Sequence, residues 1–386
     1  MTNNSQRRGK GSGSVRARGA NRWQIRYQGL PDEHGTRKMQ AETVNGSRSE
    51  AERVLRERAG QVESGSFVRK STETVAEFMY RWLETYAATN TTPRTQQGYR
   101  GNVERYINPA IGQINLQALR PEHIQKMYAA LLERNLSART ILHVHRVLSG
   151  ALEKAVQWDL LVRNPAKATT PPRPENEQMA MWDVESIKGF SEAAQTSLHR
   201  NYFELAILTG MRRSELSGLK WDAVDLGSGR LMVLNTLQRL NGRGLVDGRP
   251  KTPKSRRSIA LSPNAVTLLK RIKTNQFECR LAAGPAWSNT DYVFTSADGN
   301  PIDPDALTHE FHDIVTRAGL PPMTLHGLRH AHATLLLMKK IPAKVVSERL
   351  GHSNIAVTMD TYSHVLPDMQ EEAALAIDDG LSFWAN

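Results

Sequence analysis

A proline-rich stretch, residues 167–177, constrains the fold most, because a helix cannot pass through it. It contains Pro171, Pro172 and Pro174 among mainly polar residues. Each proline lacks a backbone N–H, and its ring clashes with the preceding helical turn, so the composition is typical of an interdomain linker. A chain of 386 residues is also too long for one ordinary hydrophobic core. We therefore predict separate domains joined by a linker at residues 166–178.

Ahead of the linker, apolar residues recur at helical spacing in four segments. The first follows a Thr74–Glu77 capping pattern, the second begins at Pro93, and the others span 121–135 and 137–158. The residues expected to face a shared core are Val75, Phe78, Met79, Trp82, Leu83, Tyr86, Tyr99, Val103, Tyr106, Ile107, Ile124, Met127, Tyr128, Leu131, Leu132, Ile141, Val144, Leu148, Ala151, Leu152 and Ala155. Four such helices predict a compact bundle at residues 72–165.

The beginning of the chain predicts a small basic module. Residues 1–19, rich in Gly, Ser and Arg, are predicted to form a flexible basic arm. In the alternating segment 22–27, three apolar side chains share one face and basic ones lie on the other, as in a half-exposed strand. A second strand at 36–44 and a helix behind a Ser49–Glu52 capping box follow. We predict a sheet with one helix at 20–66 whose basic face enters a DNA groove; the alternative is an ordinary solvated surface.

The charge balance indicates an anionic partner. Lys and Arg number 51 against 39 Asp and Glu, a net charge of +12, and nucleic acid is the leading candidate over generic solubility or membrane attraction. The arginines predicted to contact DNA phosphates are Arg22, Arg26, Arg94, Arg100, Arg139 and Arg146. The single cysteine, Cys279, excludes an internal disulfide and a Cys-rich zinc module, and no apolar run reaches the roughly 18 residues that span a bilayer. We therefore expect the protein to remain inside the cell.

After the linker the pattern alternates between helices and strands, which predicts a mixed α+β domain. Asp183 caps one helix, and a second helix ends at the Thr209–Gly210 pair. Strands are predicted at 230–240 and 258–261, with a turn at 241–244. The glycines of this turn do not form a phosphate-binding loop, so nucleotide hydrolysis is not expected.

Two charged features of this domain are compatible with either chemistry or structure. Arg212 and Glu215 are neighbours on one helical face if a helix restarts after Gly210. The carboxylate could orient the guanidinium, but an exposed ion pair worth under about 1 kcal/mol is the simpler interpretation. Lys251 lies in a basic segment between two predicted strands, where a lysine could donate a proton, although contact with the DNA backbone is the commoner role.

The end of the chain holds the residue types that attack a phosphate ester. His326 and Arg329 share one helical face with a second histidine, and His352 and Tyr362 follow. A tyrosine hydroxyl can be a nucleophile, an arginine binds phosphate oxygens through two N–H groups, and imidazoles donate hydrogen bonds or move protons. His326 and His330 have the spacing of zinc ligands, but the neighbouring Arg329 would repel a dication, so no metal site is expected. Beyond residue 203 the tyrosines are Tyr292 and Tyr362 alone, which leaves few choices of nucleophile.

Five segments, taken in order, resemble the tyrosine recombinases. They are Thr-Gly-Met-Arg-x-x-Glu-Leu at 209–216, Lys-Thr-x-x-Ser-x-Arg-x-Ile-x-Leu at 251–261, His-Gly-Leu-Arg-His at 326–330, Leu-Gly-His-Ser at 350–353 and Thr-Tyr-Ser-His at 361–364. Each segment alone is weak evidence for the family, but five in order at compatible spacings are specific evidence for it. The likeness covers nearly the whole chain and is greatest to phage-type and mobile-element integrases.

The resemblance implies a role for each matched residue. The implied roles are phosphate binding by Arg212 and Arg329, hydrogen bonding by His326 and His352, nucleophilic attack by Tyr362, proton donation by Lys251 and orientation of Arg212 by Glu215. Lys251 is preferred to Lys254 as the acid because it keeps the spacing to Ser255 and Arg257.

The resemblance also implies the architecture. It is that of a multidomain, mainly α-helical protein with small β-sheets. The expected parts are a three-stranded sheet with one helix that binds arm-type DNA sites (20–66), a four-helix bundle that binds core sites (72–165), and a mixed α+β catalytic domain (179–367). The acidic and apolar tail, residues 368–386, is expected to dock either on a neighbouring subunit or on its own domain.

The implied activity is site-specific recombination. The enzyme would break and rejoin DNA by transesterification through a covalent 3′-phosphotyrosyl intermediate, without ATP, metal or cofactor, to integrate or excise a phage or another mobile element. The implied partners are double-stranded attachment sites of core and arm type, further copies of the chain in a tetramer that forms a Holliday junction, an excisionase and a host DNA-bending protein. The implied location is the cytoplasm of a bacterial host, at the nucleoid. Two other classes fit parts of the pattern: a type IB topoisomerase and a non-catalytic DNA-binding regulator.

Overall fold

The structure, a computed structural model, describes residues 13–31, 36–64, 67–68, 70–175, 182–250 and 255–352, with Asn354, Ile355, Met359, Leu375 and Ile377 beyond them. The chain divides into two compact units, Met1–Asn176 and Glu177–Asn386. Both are rich in helices and carry small sheets, as expected from the sequence. Across the described ranges, we find no helix that is both long and apolar enough to cross a membrane.

The first unit begins with a three-stranded antiparallel sheet backed by one helix. Its elements are β1 (Ser14–Gly19), β2 (Arg22–Pro31), β3 (Arg37–Asn45) and α1 (Arg48–Glu63), and the strand order is β1-β2-β3. Ile25 and Tyr27 are buried against the helix, which confirms the predicted apolar face of β2.

Two predictions for this module were wrong. Residues 14–19 belong to the sheet and not to a flexible arm: Val15 pairs with Ile25 and packs against the core. The many arginines of this segment hide its strand pattern in the sequence. The helix is capped by Ser47 and not by Ser49: Ser47 accepts the Glu50 N–H at 3.2 Å, and the Glu50 carboxylate accepts the Ser47 N–H at 2.8 Å. The same spacing occurs at both serines, so local sequence could not choose between them.

The predicted bundle forms the rest of this unit. Its helices are α2 (Val75–Trp82), α3 (Ala88–Asn90), α4 (Pro93–Asn102), α5 (Asn108–Ile111), α6 (Pro121–Glu133) and α7 (Ala138–Gln157), with π-helical turns at Leu83–Ala87 and Val103–Ile107. The Thr74–Glu77 capping box and Pro93 at a first helical turn are confirmed. The predicted core residues are buried or packed against the core, except for Leu132, which is 46% exposed because Leu131 takes the inward position.

The predicted DNA-facing arginines lie on the surface of this unit. Arg26 is partly buried and the others are exposed: Arg22, Arg94, Arg100, Arg139 and Arg146. The first residues of the predicted linker are held on the bundle, since Ala166 is fully buried and Gln125 exchanges hydrogen bonds with the backbone of Thr170.

The second unit surrounds a core of aromatic and aliphatic residues with seven helices and two small sheets among the described residues. The helices are α8 (Val184–Ala193), α9 (Arg200–Thr209), α10 (Arg213–Ser217), α11 (Pro263–Ala283), α12 (Pro304–Arg317), α13 (Gly327–Met338) and α14 (Ala343–Leu350). The strands are β4 (Val224–Asp225), β5 (Arg230–Met232), β6 (Thr236–Leu240), β7 (Gly244–Gly248) and β8 (Ser258–Ala260), in sheets of order β4-β5-β8 and β6-β7.

The strand predicted at 230–240 is in fact two strands of different sheets. Strand β5 pairs with β4 and β8, whereas β6 pairs with β7 in a separate sheet. The sequence did not predict β7. Strand β7 begins and ends with glycine, a residue disfavoured in strands, so the strand propensity of this segment is low. The helix cap at Asp183, the helix stop at Gly210 and the strand at Ser258–Ala260 agree with prediction.

Candidate active site

Arg329 is a buried arginine near the start of α13. Only 3% of the residue is exposed. Its Nη1 donates to the Gly210 carbonyl at 3.0 Å, and its Nη2 donates to the Leu350 carbonyl at 2.7 Å. The guanidinium therefore joins the end of α9 to the end of α14.

Arg212 approaches the same place from α10. Gly210 ends α9 in the left-handed conformation, with φ of 64°, so the chain turns and Arg212 becomes the residue before α10. Its Nη2 donates to the Gly351 carbonyl at 3.0 Å, next to the carbonyl that binds Arg329. One third of the Arg212 side chain is exposed. The fold thus brings together two arginines that are far apart in sequence.

Glu215 lies behind Arg212 and is not part of a surface ion pair. The side chain is 3% exposed, and its Oε1 accepts Arg212 Nη1 at 2.7 Å. Its Oε2 accepts Arg257 Nη2 at 2.9 Å. Burial favours the neutral acid, but the hydrogen bond and charge of Arg257, together with Arg212, outweigh burial and lower the pKa of Glu215. The carboxylate is therefore ionised between two guanidiniums, and the simpler interpretation of the Arg212–Glu215 spacing was wrong.

Three guanidiniums bind successive carbonyls at the end of α14. Arg257 donates to the carbonyl of residue 349 at 2.6 Å, Arg329 to that of Leu350 at 2.7 Å and Arg212 to that of Gly351 at 3.0 Å. The last carbonyls of a helix lack partners within the helix and carry its negative dipole end. They therefore hold the three cations in one cluster and oppose their mutual repulsion.

The predicted histidines lie beside these arginines. His326 precedes α13, and its ring meets that of His330 edge-on at 5.0 Å between centroids. Although His326 is open to solvent on one side, desolvation by the packed protein, followed by the charges of His330, Arg329 and Arg212, lowers its pKa to about 4. We expect His326 to be neutral at neutral pH, able to donate one hydrogen bond and accept another.

His352 follows the end of α14. Its backbone N–H donates to the Ser347 carbonyl at 3.0 Å. Desolvation, Arg329 and Arg212 lower the pKa of His352 to about 4. Both predicted histidines are therefore neutral hydrogen-bonding groups at neutral pH.

Sequence reasoning missed a buried histidine that braces the cluster. His332 is 7% exposed. Its Nδ1 donates to the Ile207 carbonyl at 2.7 Å, and its Nε2 accepts Arg349 Nε at 3.1 Å. Since these partners fix the tautomer, the ring joins α13 to α9 and α14. The sequence gives no signal that separates His332 from His330, because both follow Arg329 closely on the same helix.

Gly210 makes a testable contribution to this packing. A Cβ at Gly210 would lie 2.6 Å from His332 Cδ2 and 2.9 Å from Leu350 Cδ2, and its φ is also positive. Gly242 has a similar φ of 73°, but a Cβ added there would meet no atom of the described residues within 4 Å. We expect Gly242→Ala to cost about 1–2 kcal/mol from backbone strain and Gly210→Ala about 1–3 kcal/mol more from overpacking. Urea unfolding of both variants measures the difference; equal losses would show that the contacts around Gly210 yield without cost.

Comparison with known proteins decides the family. The model of the phage integrase family matches residues 178–369, and that of the phage integrase N-terminal SAM-like domain matches residues 74–132. A "Tyrosine recombinase XerC-like" protein of Caldanaerobacter subterraneus subsp. tengcongensis is 30% identical over 366 residues, which cover 90% of this chain and 93% of that protein. The chain belongs to the phage integrase family of tyrosine recombinases. As a member, the recombinase is an enzyme that transfers DNA strands.

Other relatives of the recombinase come from mobile elements. The ICEBs1 integrase of Bacillus subtilis is 27% identical, with 74% of this chain and 78% of that protein covered. Among solved structures, a fragment of the Tn1549 transposon integrase in complex with a circular intermediate DNA has a TM-score of 0.68 at 20% identity and covers 79% of this chain and 99% of its own. A lambda integrase dimer bound to a core site has a TM-score of 0.57 at 18% identity, covering 90% and 93%. At these identities the two structures show a shared fold.

Two predicted site residues and one other tyrosine remain. Lys251 and Tyr362 lie outside the described residues. Tyr292, the other tyrosine beyond residue 203, is 5% exposed, and its hydroxyl donates to Asp247 at 2.5 Å. Burial and the Asp247 carboxylate raise the pKa of Tyr292. Its hydroxyl is thus committed to a structural contact, which makes Tyr292 a poor nucleophile.

Two other predictions concern a metal and the tail. Among the residues whose positions the structure gives, no three or more His, Cys, Asp or Glu side chains are grouped so that they could hold a metal ion. Of the tail, the structure describes Leu375 and Ile377, whose side chains are exposed. Its docking place therefore stays a prediction.

Proposed function

We propose that the recombinase joins two DNA sites by transesterification, with Tyr362 as the nucleophile and a 3′-phosphotyrosyl ester as the intermediate. The observation that carries this proposal is the convergence of Arg212 and Arg329 on adjacent carbonyls of one helix end. Two guanidiniums held side by side suit a phosphate group with two non-bridging oxygens.

The two arginines would neutralise the negative charge of the phosphate. A phosphodiester is an anion that repels nucleophiles, and its pentacoordinate transition state concentrates charge on the equatorial oxygens. Arg212, one third exposed, can reach a bound phosphate, while buried Arg329 contributes a charge that solvent screens weakly. By analogy with other preorganised donors, each is worth about 10²- to 10³-fold in rate.

The other residues would complete the proton transfers. The Tyr362 oxygen forms a bond to phosphorus and loses its proton to water, while the bond from phosphorus to the 5′ oxygen breaks and Lys251 protonates that oxygen. His326 and His352, neutral at pH 7, would donate hydrogen bonds to the phosphate. Attack by another 5′ hydroxyl reverses the step and rejoins the strand. One ester replaces another throughout, so the proposed reaction needs no ATP, and the two guanidiniums neutralise the phosphate charge so that no metal or cofactor is required.

The first unit would bind the DNA. We propose that the sheet module at 20–66 contacts arm-type sites and that the bundle at 72–165 contacts core sites, ahead of the catalytic domain at 179–367. The surface positions of Arg22 and Arg26 on β2, Arg94 and Arg100 on α4, and Arg139 and Arg146 on α7 support contacts with phosphates. Assembly as a homotetramer at the bacterial nucleoid, with an excisionase and a host DNA-bending protein, belongs to the same proposal.

A nicked attachment-site duplex tests the reaction. Cleavage next to the nick releases a short fragment, so the covalent complex cannot be reversed and accumulates. We expect a protein–DNA adduct that survives denaturing electrophoresis, forms in the presence of chelator, and carries the strand that ends in the 3′ phosphate. If the wild-type protein forms no adduct on its own site, the proposed reaction is wrong. Relaxation of any supercoiled plasmid without site preference would instead indicate a type IB topoisomerase.

A further inference from the structure

Arg257 is a buried guanidinium that joins the support of Arg212 to the end of α14. We propose that Arg257 is a positioning residue for strand cleavage, which fixes Glu215 and the carbonyl end of α14 and thereby sets the orientation of Arg212. This inference rests on the proposed function. It adds a residue from the Lys-Thr-x-x-Ser-x-Arg segment to the residues that prepare the phosphate site.

The contacts of Arg257 lead to Arg212 by two routes. Its Nη2 donates to Glu215 Oε2 at 2.9 Å, and Glu215 Oε1 accepts Arg212 Nη1. Its Nε donates to the Arg349 carbonyl at 2.6 Å, two residues before Gly351, whose carbonyl accepts Arg212 Nη2. Both Nη atoms of Arg212 are therefore held by groups that Arg257 holds or adjoins.

Burial makes this arrangement sensitive to the loss of one member. The Arg257 side chain is 6% exposed and that of Glu215 is 3% exposed. A buried carboxylate that loses a charged partner is strongly disfavoured in its ionised form. Arg257 contributes more than Arg212 to keeping the pKa of Glu215 low. Without Arg257, Glu215 would take up a proton or turn away, and either change weakens the charged hydrogen bond that holds Arg212 Nη1.

Arg213 lies on α10, the helix that carries Glu215, and serves as a control. Its Nη1 donates to the Pro304 carbonyl at 3.1 Å, to Asp305 at 2.9 Å and to Thr308 at 2.6 Å, and so ties α10 to α12. It is also an arginine with a carboxylate partner and carbonyl contact. Arg213→Met therefore removes a structural arginine that adjoins Arg212 in sequence but binds α12 instead of Glu215, with 35% of its side chain exposed.

Two DNA substrates separate a positioning role from a structural one. One is the nicked attachment site, and the other carries a methylphosphonate at the scissile position, which has no negative charge to neutralise. We expect Arg257→Met to slow adduct formation by about 10²-fold on the phosphodiester, as a misplaced catalytic group does, and to lose much less relative to wild type on the methylphosphonate. We expect the Arg212→Met/Arg257→Met double variant to be no slower than Arg212→Met, because both act through one group. Reaction with the methylphosphonate also shows that the variant is folded.

Three results would overturn the proposal: an equal loss on both substrates, additive losses in the double variant, or the same loss in Arg213→Met. If the wild-type protein forms no adduct, the proposed function fails, and Arg257 is then tested without DNA. The side-chain Nε–H resonance of Arg212 in an NMR spectrum should shift or broaden in Arg257→Met and stay unchanged in Arg213→Met. An unchanged resonance in Arg257→Met would refute the positioning role by itself.

Discussion

The Tyr362→Phe variant is expected to form no covalent complex with its DNA site, whereas Tyr292→Phe is expected to form one. Phenylalanine removes the attacking oxygen while keeping the ring, so loss of the adduct reports the nucleophile alone. Tyr292 loses a hydrogen bond to Asp247, which costs about 1 kcal/mol of stability but removes no group that we place in the reaction. The adduct on nicked DNA is measured for both variants.

Binding of the same duplex serves as the control for Tyr362→Phe, because an unfolded variant would also fail to bind. Retained binding without an adduct supports Tyr362 as the nucleophile. An adduct formed by Tyr362→Phe would contradict this assignment, and mapping the DNA-bearing peptide would then identify the residue that attacks.

Replacing Arg329 by methionine should damage both catalysis and folding. Loss of its charge from the transition state should slow adduct formation by about 10²- to 10³-fold. Loss of its two donors leaves the buried Gly210 and Leu350 carbonyls without this partner, at about 1–3 kcal/mol for each group that stays unsatisfied. Adduct rates and urea unfolding measure the two effects separately.

Arg212→Met is the comparison that separates these effects. Its rate should fall by a similar factor, but its stability should fall less, because one third of the side chain is exposed and water can replace lost contacts. If Arg329→Met lost stability but reacted at the wild-type rate once folded, Arg329 would have a structural role only. The phosphate site would then depend on Arg212 and the histidines.

Elements set by neighbours in sequence could be predicted, and those set by distant partners could not. The Thr74–Glu77 cap and the stripe of α7 depend on spacings of three and four residues, and both were correct. The break between β5 and β6 depends on which strand each one pairs with. Hydrogen bonds to distant strands leave no mark in the local pattern, so the segment was predicted as one strand.

The candidate site shows the same division. The resemblance selected Arg212, Glu215 and Arg329, and the structure brings the ends of their helices together. Spacing alone predicted that Arg212 and Glu215 form a surface ion pair. Nothing nearby in sequence indicates that Arg257, from the loop before β8, also binds the Glu215 carboxylate. Burial of a charged group depends on all its neighbours, and one of them lay outside the local pattern.

The end of α14 makes helix length part of the chemistry. Three arginines from different parts of the second unit bind the carbonyls of residues 349–351. One residue inserted within α14 would rotate these carbonyls by about 100° and shift them by about 1.5 Å, so all three guanidiniums would lose their acceptors at the end of this helix together. Insertions are therefore better tolerated in the turn between α13 and α14 than inside α14. For this recombinase, the number of residues in one short helix is as constrained as the identity of the arginines around it.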